Sequence, residues 1–312
     1  MMYSMVSCIK YDPGSMVPSS HEVVIEVPLA VFVNGRHALT AMVSPTLLEE
    51  FVTGLLYTER IIRKLEDIES LHIEENRERN REKNRDENRE KNRDENREKN
   101  RDENREKNRE KNREKNREKN REKNRENKEK TDDPITLSAS VLTKDPFSIM
   151  LSGKTVLSGC GGDTSYLDAG RLPKIQSDMV TNVSTIKTTM KETLVSDLHT
   201  RTGGIHIIGL FGPEGKICII EDIGRHNALD RAIGYGLKHG VDFSRTIVTC
   251  SGRISSEMVR KCLMANIPII ASRGATTTLA ISMAEKADLT VIGFVRSQKM
   301  NIYTGVERVR NE

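Results

Sequence analysis

The sequence predicts an α/β protein: a C-terminal βαβ sheet domain joined to a smaller N-terminal α+β domain that a charged repeat interrupts. Three observations predict it. From about residue 204 onward, short runs of Ile, Val and Leu alternate with amphipathic segments, the pattern of strands joined by crossover helices. Before residue 171 the signals are β-like runs, turn residues and one helical pattern. Between Asn76 and Asn127 the chain is thirteen consecutive tetrapeptides, mostly Asn-Arg-Glu-Lys and Asn-Arg-Asp-Glu, with no hydrophobic residue. The expected organisation is therefore an N-terminal domain over 1–171, a low-complexity insert at 76–130 within it, and a C-terminal domain over 176–312.

Residues 22–43 read as a hairpin, because two β-rich runs flank Asn34-Gly35, a strong two-residue turn signal. Ser44-Pro45 then offers a helix start, with a capping hydroxyl followed by proline at the first helical position. Leu47, Leu48, Phe51, Leu55 and Leu56 supply an apolar face as far as about Arg60. The repeat has no apolar stripe to dock and carries Asn at every fourth position, so it reads as a solvated insert, disordered or a single charged helix. After it, 131–171 holds β-like pieces and the glycine-rich stretch 157-LSGCGGD-163. The C-terminal pattern gives a helical segment at 179–202 and strands at 204–212 and 216–223. A helix at 226–239 follows, then a strand at 246–251, a helix at 255–265, a strand at 267–272, a helix at 277–287 and a strand at 289–296. Residues 301–304 form an edge strand, and the sheet is expected to be mostly parallel.

The net charge of the 312-residue chain is +4, and the surplus of basic residues lies in the repeat. The remainder is slightly acidic, and the repeat mixes both signs without aromatics, so nucleic-acid binding is not expected. Five cysteines, at 8, 160, 218, 250 and 262, are an odd number with no C-x-x-C, which fits reduced thiols. No signal-peptide pattern and no apolar stretch of bilayer-spanning length are visible. The expectation is a cytoplasmic protein.

In a parallel sheet, ligands bind beyond the carboxyl ends of the strands. The polar clusters fall there: 221-EDIGRHNALD-230, 250-CSGRISSE-257, 271-ASRGATTT-278 and 294-FVRSQKMN-301. Arg225 with His226 and Asn227, Arg253, Arg273, and Arg296 with Lys299 suit an anionic, phosphate-rich ligand, since guanidinium groups and helix starts both favour phosphate. Neither G-x-G-x-x-G nor G-x-x-x-x-G-K-[ST] occurs, so standard dinucleotide and P-loop sites are not supported. Three roles stay open for His226: acid/base group beside Asp222 and Asp230, phosphate ligand, or helix cap. Cys218, Cys250 and Cys262 read as small buried hydrophobes. Cys160, among Gly159, Gly161 and Gly162, is either a turn residue or a thiol that a large reactant can approach.

The runs 221-EDIGRHNALDRAIG-234, 251-SGRISSEMVRK-261, 267-IPIIASRGATTTLAISMAEKADLTVIGFVR-296 and 300-MNIYT-304, together with 26-EVPLAVFVNG-35 and 49-EEFVTGLLYTERII-62, resemble the formate dehydrogenase accessory sulfurtransferases, the FdhD family. The resemblance implies a sulfur carrier that takes sulfur from a cysteine desulfurase as a cysteine persulfide. It implies transfer to bis-molybdopterin guanine dinucleotide before that cofactor enters formate dehydrogenase. It also implies a dimer, a C-terminal domain like the cytidine-deaminase fold, Cys160 as the persulfide-bearing residue, and cofactor binding by Phe294, Val295, Arg296, Ser297, Gln298 and Lys299. Many members carry C-G-x-C in the loop, whereas this chain has 160-CGGD-163, with Asp163 where the second cysteine stands. Without that thiol no internal disulfide can expel the sulfur, which keeps a second reading open: a cofactor-binding chaperone that handles no sulfur. A zinc deaminase on the same fold requires H-x-E and P-C-x-x-C. His72-Ile73-Glu74 matches the first, the second is absent, and no bound metal is expected.

Overall fold

Val27–Val33 (β3) alternates buried and half-buried positions, and Arg36–Val43 (β4) returns antiparallel beside it with Val27 opposite Val43. The turn between them is the one the sequence predicts. Asn34 and Gly35 both take positive φ, 49° and 75°, as a hairpin turn matched to strand twist requires. The computed structural model describes residues 2–75, 136–145, 154–156 and 172–311; the repeat and the Cys160 loop lie outside these. Residues Met1–Ile73 and Ser138–Glu312 form one compact unit, and Glu74–Leu137, nearly all outside the described residues, form a second.

Within the first unit, β3 and β4 belong to a five-stranded sheet. Its other strands are Ile68–Glu75 (β5), Leu137–Thr143 (β6) and Lys154–Val156 (β7), in the order β5-β6-β3-β4-β7. Residues 3–24 form a separate hairpin that was not expected, and it includes positions 22–24 of the run assigned to the Asn34-Gly35 hairpin. Tyr3–Asp12 (β1) pairs with Ser15–Val24 (β2), and nearly all of its residues are exposed. Its mixed polar and apolar composition offers no buried face from which to recognise it.

The helix after Ser44-Pro45 begins later than expected. Helix α1 runs Leu48–Thr58, and Leu47 stands at its start in a left-handed conformation without a side-chain cap. Ser44 is used elsewhere. Its N–H donates to Asp222 Oδ2 at 3.3 Å, its Oγ accepts from Ile223 N at 3.2 Å, and its carbonyl accepts from Arg231 at 3.1 Å.

The segment predicted as one helix over 179–202 divides into a two-residue strand Thr181–Asn182 (β8), helix α2 (Val183–Thr193) and helix α3 (Asp197–Thr202). Each helix has its own cap. Asn182 accepts from Thr185 N and Ser196 accepts from His199 N, so Ser196 ends one pattern and starts the next.

His206–Gly212 (β9), Gly215–Asp222 (β10), Ile247–Cys250 (β11), Ile269–Ser272 (β12), Thr290–Gly293 (β13) and Asn301–Thr304 (β14) form a six-stranded sheet in the order β10-β9-β11-β12-β13-β14. Helices α4 (Arg225–Lys238), α5 (Ser256–Met264) and α6 (Thr278–Lys286) cover one face through Leu229, Ile233, Met258 and Ala280, packed on Val248, Ile270 and Val291. Helix α2 covers the other through Ile186 and Met190, against Ile247, Ile269 and Ile292. Burial on both faces is why the four inner strands, β9, β11, β12 and β13, are almost continuously apolar. The sheet is mixed and not mostly parallel. Only β11–β12 and β12–β13 run parallel; β10–β9, β9–β11 and β13–β14 are antiparallel. The link between β9 and β10 is too short for a crossover, which needs a dozen or more residues.

The two sheets expected to be separate domains share one unit because α1 lies directly on α4. At the crossing, a Cβ on Gly54 would stand 1.7 Å from the Asp230 carbonyl oxygen, and one on Gly234 would stand 1.9 Å from that of Glu50. The backbones touch. Two buried ion pairs flank the contact. Arg231 Nη1 lies 2.7 Å from Asp222 Oδ2 with neither side chain exposed, and Lys261 Nζ lies 2.8 Å from Asp230 Oδ2. Thr58 of α1 donates to Asp230 at 2.7 Å, and Asn227 donates to the Met42 carbonyl at 2.8 Å.

Alanine in place of glycine normally favours a helix by about 1 kcal/mol. Here the sign should reverse: Gly54→Ala or Gly234→Ala is expected to destabilise the chain by about 3 kcal/mol or more, measured by urea unfolding. Lys261→Met should cost about 3–5 kcal/mol at neutral pH by leaving Asp230 buried and uncompensated. Adding Asp230→Asn to that variant should restore much of the loss.

Candidate functional site

Three parallel strands end side by side, and their outgoing loops are tied together by backbone hydrogen bonds. Arg273 N donates to Cys250 O at 3.0 Å, Ile254 N to Ala275 O at 2.9 Å, Phe294 N to Gly274 O at 2.9 Å and Val295 N to Ser272 O at 2.9 Å. Ser272 Oγ donates to Gly252 O and accepts from Gly274 N. Small residues make the approach possible. A Cβ on Gly274 would stand 3.2 Å from Gly252 C, and one on Gly252 would stand 2.9 Å from His206 Nδ1 and 3.4 Å from Arg225 Cδ.

This edge gathers Arg225, His226, Arg253, Arg273 and Arg296 from four separate loops. Arg253 and Arg273 are exposed, while Arg225 and Arg296 are half-buried. The Arg296 guanidinium donates to the Arg273 carbonyl, and its backbone N–H donates to Lys299 O at 2.8 Å, closing the turn that carries Ser297, Gln298 and Lys299 into solvent. Phe294 takes φ 53° and is 40% exposed. A positive φ at a bulky residue is costly, and it leaves an aromatic ring at the rim.

Two predicted residues do not face the edge. Val295 is packed in the core against α2, and Asn227 is buried with its amide spent on Met42 and Asp222. Asp222 and Asp230 do not serve His226 either; both are sealed in the α1–α4 joint. His226 Nε2 lies instead 3.0 Å from Ser255 Oγ and 3.6 Å from Glu257 Oε2. Burial, with Arg225 and Lys261 adding to it, overrides Glu257 and depresses the His226 pKa to about 4. His206 is also depressed, by burial first and then by Arg225, His199 and Arg253. At neutral pH both rings are uncharged, and the positive charge of the edge belongs to arginine and lysine. The sequence reading missed His206. It opens β9, and the short β9–β10 link, read as a hairpin, would have placed it at this edge.

Burial pushes the thiol of Cys250 up to about 11 and that of Cys218 up to about 12, and it raises Cys262 as well. These three stay protonated and have little nucleophilic character. Cys8 is exposed on β1. Cys160 and Asp163 lie outside the described residues. Among the described residues no three His, Cys, Asp or Glu side chains are grouped to hold a metal ion, and no helix is long and apolar enough to cross a membrane.

A sequence model of the FdhD/NarQ family matches residues 24–149 and 132–310. The chain belongs to this family. The sulfur carrier protein FdhD of Geobacillus kaustophilus is 28% identical over 306 residues, covering 96% of this chain and 94% of that one. The protein of the same name from Thermoplasma volcanium is 38% identical over 164 residues, 51% of this chain and 55% of its own. A crystal structure from Desulfotalea psychrophila, described as a formate dehydrogenase accessory protein, shares the fold with a TM-score of 0.66 at 22% identity. The match covers 99% of this chain and all of that one. In this FdhD/NarQ chain the arginine edge is built from the segments that carried the resemblance, but only part of each segment faces outward.

The depressed His226 gives a pH signature. The unfolded chain takes up a proton on this residue near its ordinary value of 6.5, whereas the folded chain does so only near 4. The associated stability is complete above 6.5 and is lost as pH falls from 6.5 towards 4. His226→Gln should flatten that part of the stability curve, measured by urea unfolding across the same range. An unchanged slope would show that the folded chain does not hold His226 neutral.

Proposed function

We propose that this chain is a sulfurtransferase-type sulfur carrier serving formate dehydrogenase. It accepts sulfur from a cysteine desulfurase as a persulfide on Cys160. It passes that sulfur to bis-molybdopterin guanine dinucleotide before the cofactor is inserted. The arginine edge carries this reading, because a guanine dinucleotide presents the phosphates that Arg225, Arg253, Arg273, Arg296 and Lys299 suit, and Phe294 offers a ring for a base to stack on. The cofactor is cargo here and not a resident group. The acting form is a homodimer in the cytoplasm, and the C-terminal sheet is of the cytidine-deaminase kind.

Loading is a thiol exchange. The Cys160 thiolate attacks the outer sulfur of the desulfurase persulfide, forming one S–S bond as another breaks and releasing the desulfurase cysteine as its thiolate. Three of the other four thiols are buried and held protonated, which supports Cys160 as the carrier. A carboxylate at Asp163 close to the thiol would raise its pKa, so the basic edge supplies compensation if the loop closes on it. With no second thiol in the loop, either the acceptor takes the outer sulfur directly as Cys160 leaves as its thiolate, or an external thiol reductant releases that sulfur as sulfide and is itself oxidised.

Incubation with desulfurase and cysteine should add about 32 Da, one sulfur atom, at Cys160, and Cys160→Ala should abolish the gain in intact-protein mass spectrometry. Loading that persists in Cys160→Ala would sink the assignment. A protein that binds the cofactor but never gains sulfur would instead be the chaperone that Asp163 keeps in view. Arg225→Ala and Arg296→Ala should each weaken GDP binding about tenfold, the loss of one charge-assisted contact.

A further inference from the structure

At the opposite edge of the six-stranded sheet lies a cleft of about 620 Å³. β9 ends there and β11 begins there at Ile247, so the length of β11, roughly 13 Å at the usual rise per residue, separates it from the arginine edge. Its volume falls within the range of small-molecule sites, about 300–1,000 Å³.

The cleft brings together two cations from different elements. Arg245 closes the turn Phe243–Arg245, and Arg310 ends the short strand Val309–Arg310 (β15). Both are exposed, and neither has an ion pair or side-chain hydrogen bond among the described residues. Met179, Val180 and Pro213 add apolar lining beside them, over Phe211 and Ile247, which are buried, and the exposed Asp178 carboxylate lines the cleft as well. Asn182 is spent on only one side. Its Oδ1 accepts from Thr185 N and Ser184 Oγ, which leaves its amide N–H groups as donors at the start of α2. The walls are fixed in place. β15 pairs with β8, setting Arg310 opposite Asn182, and Ser177 Oγ donates to Ser244 O to hold the 175–180 segment.

Two guanidinium groups lining one cleft suit an anion with several oxygens, and the adjoining apolar lining suits a flat ring on the same molecule. We propose that this cleft binds a phosphorylated heterocycle of mononucleotide size, with the phosphate at Arg245 and Arg310 and the ring against Met179 and Val180. The proposal rests on this geometry and does not depend on the sulfur-carrier reading.

The test is a titration of the full-length chain with fluorescent N-methylanthraniloyl GMP and AMP, in competition with inorganic phosphate. The double variant R245Q/R310Q, at two exposed positions, should fold normally and bind the probe at this site at least about tenfold more weakly. The double variant R225Q/R296Q should leave that component intact, which separates the two edges. Unlabelled nucleotide should compete far better than phosphate. Probe binding unchanged in R245Q/R310Q would overturn the proposal, as would no binding to the wild-type chain. Phosphate competing as well as nucleotide would overturn it too, leaving only a non-selective anion patch.

Discussion

The contact between the backbones of α1 and α4 is the constraint on which the rest depends. Gly54 and Gly234 remove the side chains that would hold the helices apart, so Asp230 and Glu50 carbonyls sit where a Cβ would be. So close an approach buries whatever flanks it. The flanking groups are charged, and they are tolerated because each has a partner: Asp222 with Arg231, and Asp230 with Lys261 and Thr58. A buried pair of this kind adds little net stability, but losing one member costs far more. It therefore enforces a single way of joining the two sheets.

The stretch from Glu221 to Gly234 has two uses at once. One side of it, through Asp222, Asn227, Asp230, Arg231 and Gly234, locks the joint. Its leading end presents Arg225 and His226 to the edge where the parallel strands finish. The position of the anion-suited edge is thus tied to the integrity of the helix crossing. A change deep in the joint would move Arg225 without touching any ligand.

Burial also sorts the titratable groups by role. The two histidines at the edge are held neutral, so they can accept or donate a single hydrogen bond without adding charge. The arginines keep the positive field at every physiological pH. The same low-polarity surroundings silence Cys218, Cys250 and Cys262.

The sequence by itself determined the turn at Asn34-Gly35, the alternation of apolar strands and amphipathic helices, and the four arginine-bearing loops. These follow from local rules: turn geometry, residue periodicity and the placement of polar clusters after strands. Only the tertiary structure decided the rest. It made the sheet mixed, since pairing direction depends on which strand lies beside which. It brought His206 to the site and turned Val295 and Asn227 away from it, since a residue's facing is set by neighbours distant in the chain. It gave Asp222 and Asp230 to the joint, because a carboxylate next to a histidine in sequence is bound by whichever cation packing brings within reach. For Asp230 that cation is Lys261, thirty-one residues away.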